Sequence, residues 1–148
     1  MLGHELAMAL RGAYLAMHRR SDALLATVGV TADQFVVLAT LADEDRVRQQ
    51  DIVERTHSDP STIRAMLVLM EKKGLVTRGK HPDDRRARCV KLTRAGMEMY
   101  RRAWDITQVI RDEMTEGLGG IGTEVMVDLL VGIKEAAEEA GQESEVDK

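Results

Sequence analysis

Two short clusters hold the groups best placed to do chemistry: Ser61-Thr62-Ile63-Arg64-Ala65 and Asp83-Asp84-Arg85-Arg86-Ala87-Arg88. In the first, Ile63, Leu67 and Met70 recur at the 3–4 spacing that sets them on one face of a helix. Ser61, Thr62, Arg64 and Ala65 then lie off that face. A guanidinium can make paired hydrogen bonds to the edge of guanine, and a hydroxyl can reach base edges or phosphates. In the second cluster the charges crowd a loop. Exposed ion pairs stabilise by only about 0–1 kcal/mol, so stability hardly accounts for them. Two residues apart, the Asp84 carboxylate can hold the Arg86 guanidinium outward in a fork. Arg86 then enters a minor groove, where narrow A·T tracts concentrate negative potential. Lys72, Arg78, Lys80, Arg85 and Arg88 complete the expected set of DNA contacts.

The charge distribution fits that chemistry. The 148-residue chain carries a net charge of −4. Between Ser61 and Arg102, however, twelve Lys and Arg face four acids, a local +8, and the remainder carries −12. A basic stretch of this kind is the electrostatic footprint of a nucleic-acid partner. Enzyme chemistry finds no support. His4, His18, His57 and His81 are scattered and form no metal-ligand spacing, and no Gly-rich phosphate loop, zincin motif or nucleophile elbow is present. No cofactor and no metal are expected. Cys89 is the single cysteine, so no intramolecular disulfide can form. Arg88 and Lys91 beside it suggest a redox switch, but a structural thiol is the preferred reading. The most apolar runs, Phe35–Ala42 and Ala65–Met70, are too short to span a bilayer. The N-terminus lacks the apolar core of a signal peptide. A cytoplasmic protein without a membrane partner is expected.

The elements that must position these groups are mainly helical, as the low aromatic content (3%) and the abundance of Ala, Leu, Met, Glu and Arg suggest. Leu6, Leu10, Tyr14, Met17, Leu24 and Val28 predict a helix over 2–28. Thr31 and Gln34 have the spacing of a capping box, flanked by Val30 and Phe35 as a staple, and open a helix to about Ala42. A polar loop, 43–46, follows. Gln49–Thr56 predicts a short helix, and His57-Ser58 a tight turn. Asp59 as N-cap and Pro60 at the first helical position start the next helix, which ends near Lys73 with Gly74 as its stop. Leu75–Arg78 and Arg88–Leu92 predict a β-hairpin with a long polar loop. Thr93 caps one long helix with Met97, Tyr100, Trp104 and Met114 on a stripe. After the Gly-rich break 117–122, Thr123 opens a last helix with Val125, Met126, Leu129, Leu130, Ile133 and Ala137 inward, fraying into an acidic tail from Glu138. Helix–turn–helix–hairpin is the order of a winged helix-turn-helix.

Three segments, in this order, resemble the multiple-antibiotic-resistance regulator (MarR) family. Asp84-Arg85-Arg86 followed by Val90-Lys91-Leu92-Thr93-Arg94-Ala95-Gly96 is similar to the family's wing signature. Asp59-Pro60-Ser61-Thr62-Ile63 and Met70-Glu71-Lys72-Lys73-Gly74-Leu75-Val76-Thr77-Arg78 resemble its recognition helix and the exit into the wing. The resemblance implies a homodimeric transcription regulator, commonly a repressor, on an inverted-repeat operator, often released by small aromatic ligands. The chain departs from the family pattern at His57, where Gly is usual, at Ser58, at Arg64-Ala65, and at Val68 and Leu69, which are apolar where polar residues are common.

The fold expected is mainly α with a small β-hairpin: one MarR-like domain, 1–148. Its DNA-binding lobe is 30–95, and 1–29 and 96–140 form long dimerisation helices, whose apolar stripes one small lobe could not cover. Tyr14, His18, Phe35 and Trp104 are the candidate lining of a pocket for a small-molecule effector, with core packing the alternative for Phe35 and Trp104. Two other readings of the chain are a protein-interaction module on a winged-helix scaffold without DNA binding, and a thiol-based redox-sensing regulator.

Overall fold

The computed structural model describes the backbone of residues 1–146 and the side chains of residues 1–142. Among the described residues ten elements follow one another: α1 (Leu2–Ala26), α2 (Ala32–Ala42), β1 (Val47–Arg48), α3 (Gln49–Arg55), α4 (Pro60–Lys72), β2 (Val76–Lys80), β3 (Arg88–Leu92), α5 (Arg94–Ile106), α6 (Gln108–Gly117) and α7 (Thr123–Val146). One compact unit runs from Met1 to Ile110 and a second begins at Arg111. The fold is mainly α with a small antiparallel sheet, the winged helix-turn-helix order that the sequence predicts.

Local chemistry sets the helix starts of the first unit. The Thr31 hydroxyl accepts from the Gln34 amide, and the Gln34 side chain accepts from Thr31 N–H, both at 3.1 Å, so the capping box is complete. Asp59 caps α4 by accepting from the Thr62 amide (2.9 Å) and hydroxyl (2.7 Å). These bonds hold the Asp59 carboxyl below its ordinary range, the hydroxyl contributing most. Pro60 follows at the first helical position, where its missing N–H leaves nothing unsatisfied. Gly74 stops α4 at φ +73°, a left-handed conformation that a side chain would disfavour.

The core lies between α2, α3, α4 and the sheet. Leu25, Leu38, Leu41, Ile52, Ile63, Leu67, Met70 and Val90 are all essentially inaccessible. Ile63, Leu67 and Met70 are the predicted inner face of α4, and their burial fixes which face is left outside. Lys73 closes the rim by donating from Nζ to the Gly29 carbonyl at 3.0 Å.

Three expectations need correction. The hairpin gains a third strand: β1 pairs with β3 (Val47↔Val90, Arg48↔Cys89), so β3 is central, in the order β1-β3-β2. Only two residues long, β1 offers no alternation for a sequence reading to detect. The helix after Thr93 is broken at Thr107, a buried residue whose hydroxyl bonds back to the Ala103 carbonyl at 2.7 Å. Met114 therefore lies on α6, beyond this break, rather than on the stripe of α5. The acidic tail after Glu138 is helical, since α7 continues to Val146.

The second unit contains α7, whose Val125, Leu129, Leu130 and Ile133 are exposed apolar residues in the single chain. In the first unit Leu2, Leu6, Met8 and Tyr14 of α1 are likewise exposed. No helix among the described residues is long and apolar enough to cross a membrane.

Candidate nucleic-acid interface

The base of the wing is tied to α4 and α5 by a knot at Thr93 and Gly96. Thr93 donates its hydroxyl to the Gly74 carbonyl (2.6 Å) and its amide to the Leu75 carbonyl (3.0 Å). The same hydroxyl accepts from Gly96 N–H at 2.9 Å and so caps α5. At Gly96 a Cβ would lie 2.0 Å from the Leu75 carbonyl oxygen, so only glycine fits this approach. Thr and Gly three residues apart are therefore the two groups that let α5 start directly against the end of α4.

A second tie joins α4 to the wing. Glu71, in the last turn of α4, accepts from the Arg78 amide at 3.1 Å and from its guanidinium at 3.2 Å. The Arg78 guanidinium holds the Glu71 carboxyl below the ordinary carboxylate range. Glu71 was not singled out by the sequence reading. Its role follows only once the turn at Gly74 brings β2 back beside α4.

On this frame Ser61, Thr62, Arg64, Ala65, Leu69 and Lys72 are exposed on α4, and Val68 is half-buried among them. Lys80 is exposed at the end of β2, Arg85 and Arg86 in the loop, and Arg88 at the start of β3. Arg78 is mostly covered, its side chain 16% exposed. Arg64, Arg78 and Arg88 come from three elements and line one depression of about 350 Å³ together with Gln49 and Val68. Two buried polar atoms, Nε of Arg78 and Oε1 of Gln49, make no hydrogen bond in the chain. Chain folding alone thus assembles three guanidinium groups that are dispersed in the sequence. Thr62 differs from its neighbours, since its hydroxyl is engaged by the Asp59 cap.

The loop is ordered through its backbone. Asp84 Oδ1 accepts from the backbone amide of Arg86 at 3.0 Å, the Ala87 amide donates to the Asp84 carbonyl (3.1 Å), and the His81 amide donates to the Ala87 carbonyl (2.9 Å). This corrects the expected fork: Asp84 meets the amide of Arg86, not its guanidinium. With one residue between them, the carboxylate reaches the nearby N–H more readily than the end of a long side chain, forming a turn of the Asx kind.

The proposed effector residues form two groups. Tyr14 and His18 stack on α1 with ring centroids 5.6 Å apart, and His18 Nε2 is 3.3 Å from Asp22. Asp22 also accepts from the Ala32 amide at 2.6 Å, which ties α1 to the start of α2. Phe35 and Trp104 both meet Tyr100, at 6.1 and 6.0 Å, a residue outside the expected set. Tyr14 also lines a separate cleft of about 270 Å³ with Val36, His57, Thr62 and Met66. His57 adopts φ +54° in the turn before α4, the left-handed conformation for which Gly is more usual. Cys89 is buried on β3, its Sγ 3.5 Å from the Lys80 carbonyl oxygen.

Comparison with known proteins places this geometry. The profile of the MarR family matches residues 30–87. Transcriptional regulator HosA of Escherichia coli O111:H- is 32% identical over 101 residues, covering 68% of this chain and 75% of HosA. The organic hydroperoxide resistance transcriptional regulator of Bacillus subtilis is 28% identical over 109 residues, 74% of each chain. Among solved structures, the transcriptional repressor CouR bound to a 23-mer DNA duplex is 29% identical, with a TM-score of 0.79 over 90% of this chain and 94% of that one. The chain belongs to the MarR family of winged helix-turn-helix regulators, non-enzymatic proteins that bind DNA to control transcription.

Proposed function

We propose that this protein is a homodimeric repressor that occupies an inverted-repeat operator. The observation that carries this reading is the exposed face of α4 flanked by Arg64, Arg78 and Arg88, with Lys80, Arg85 and Arg86 on the adjoining wing. Helix α4 enters the major groove, and the wing tip lies over the neighbouring backbone and minor groove. The second copy covers the exposed apolar side chains of α1 and α7. CouR, whose structure is that of a repressor on a DNA duplex, supports repression by occupancy.

An aromatic effector is the second component of the proposal. NadR, 26% identical with a TM-score of 0.72, has been solved in complex with 4-hydroxyphenylacetate. Tyr14, His18, Phe35 and Trp104 supply aromatic and polar surface of the kind such a ligand would use.

Selection of duplexes from a random pool at fixed salt tests the reading. The expected outcome is a site with dyad symmetry whose half-site centres are about 10 base pairs apart, or a multiple of that. Sites without symmetry, or a monomer at micromolar concentration in sedimentation, would overturn it.

A further inference from the structure

The middle of the outward face of α4 is apolar. Opposite the buried Ile63, Leu67 and Met70, the residues that succeed one another along the helix are Ser61, Ala65, Val68 and Lys72. Their four–three–four spacing makes them a single stripe. Arg64 flanks the stripe on one side and Leu69 on the other. Ala65 is exposed, Val68 half-buried and Leu69 53% exposed. Together with Ser61 and Arg64 they line a shallow apolar depression.

Each base presents a different demand in the major groove. Adenine is read by the amide of Asn or Gln, cytosine by a carboxylate, and guanine by Arg or Lys. The stripe has neither amide nor carboxylate. Only the C5-methyl of thymine is apolar there, and it is matched by small or branched aliphatic side chains.

We propose that Ala65, Val68 and Leu69 are specificity-determining residues that read thymine through its C5-methyl group, while Arg64 supplies the polar contact beside them. The inference rests on the reading of α4 as the recognition helix. Double-stranded DNA is the occupant because the apolar strip adjoins the depression lined by Arg64, Arg78 and Arg88 and has Lys72 at its C-terminal end, a charge pattern complementary to phosphates. A protein partner docking on the same strip would have to accommodate those cations.

The test compares a duplex selected by the full-length protein from a random pool with the same duplex carrying deoxyuridine in place of single thymines. Deoxyuridine pairs identically and lacks only the methyl group. Affinity should fall about fourfold for each contacted methyl removed, the factor expected for one buried methylene-sized group. The effect should be confined to thymines facing α4. In Val68→Ser and Leu69→Gln proteins, which remove the methyl groups of these side chains, the uridine effect should shrink or vanish while circular dichroism shows the helices retained. Loss of folding in one variant leaves the other to decide, and the uridine series on the unaltered protein stands without either.

Selective binding that ignores uridine, or selected sites without thymine opposite α4, would overturn the methyl reading and leave DNA recognition intact. Equal uridine effects in the unaltered and variant proteins would also overturn it, because the methyl would then act through duplex stiffness. Absence of any selective DNA binding would instead overturn the operator reading on which the inference rests.

Discussion

The Asp84 carboxylate accepts a hydrogen bond from the backbone amide of Arg86 at 3.0 Å, and the side chain of Arg86 is left exposed. The acid therefore shapes the chain that carries the arginine and leaves the guanidinium free for another partner. Removing a negative charge near DNA should tighten binding if only long-range electrostatics mattered. Removing the acceptor that orders the loop should weaken it. Asp84→Ala is expected to weaken operator binding by roughly two- to tenfold, the worth of one such hydrogen bond, with little change in Tm. A titration at fixed salt reads the sign, and tighter binding would assign Asp84 a purely electrostatic role.

Arg64 and Lys72 should behave differently although both are exposed cations on α4. Arg64 lies in the second turn, where it can reach a base edge, and Lys72 ends the helix near the backbone. Arg64→Ala should relax preference at one position per half-site, at a cost of about 1–3 kcal/mol there. Lys72→Ala should weaken binding equally on all sequences. Competition assays with single-position operator variants separate the two patterns.

Binding should be steeply dependent on salt. If a dimer neutralises roughly 6–10 phosphates, affinity should fall by about 10³–10⁵ between 50 and 200 mM salt. A shallow slope in a fluorescence titration would mean that few of Lys72, Lys80, Arg85, Arg86 and Arg88 touch the backbone.

Gly96→Ala should destabilise the fold by about 3 kcal/mol, because the added methyl meets a backbone carbonyl that has no room to yield. Gly79→Ala is the control. Its Cβ would meet nothing within 4 Å, and its φ is not positive. Thermal melts of the two variants should differ accordingly.

The Asp59 cap makes α4 sensitive to acid. Its carboxyl is held below the ordinary value, chiefly by the Thr62 hydroxyl and amide. The charged form is thus favoured in the folded state, and its contribution is complete above the unfolded pKa. That contribution is lost as pH falls through the lowered folded value. Asp59→Asn keeps a capping oxygen without the charge. The unaltered protein should have the higher Tm at pH 7, and the difference should disappear on acidification below the ordinary carboxylate range.

Much of the DNA-binding unit was legible because its signals are local. Thr31 with Gln34, Asp59 with Pro60, and Gly74 each fix an element end within a few residues. Features set by distant parts of the chain were not. The pairing of Val47 with Val90 depends on β3 arriving beside a two-residue strand. The break at Thr107 carries no local signal such as a proline or glycine. Glu71 reads as one more charge until Arg78 returns to it. Arg64, Arg78 and Arg88 are each visible in the sequence, but their convergence with Gln49 and Val68 exists only in three dimensions.

The ties from Glu71 to Arg78 and from Thr93 to Gly74 and Leu75 make α4 and the wing base a single rigid gauge. These ties hold the base of the wing at one interval from the helix, and a nucleic acid that meets both must offer its contact surfaces at that interval. B-form DNA has a major groove wide enough for a helix. A-form duplexes have a deep, narrow major groove that closes against one. Double-stranded RNA would be turned away by its helical form alone, before any base is read.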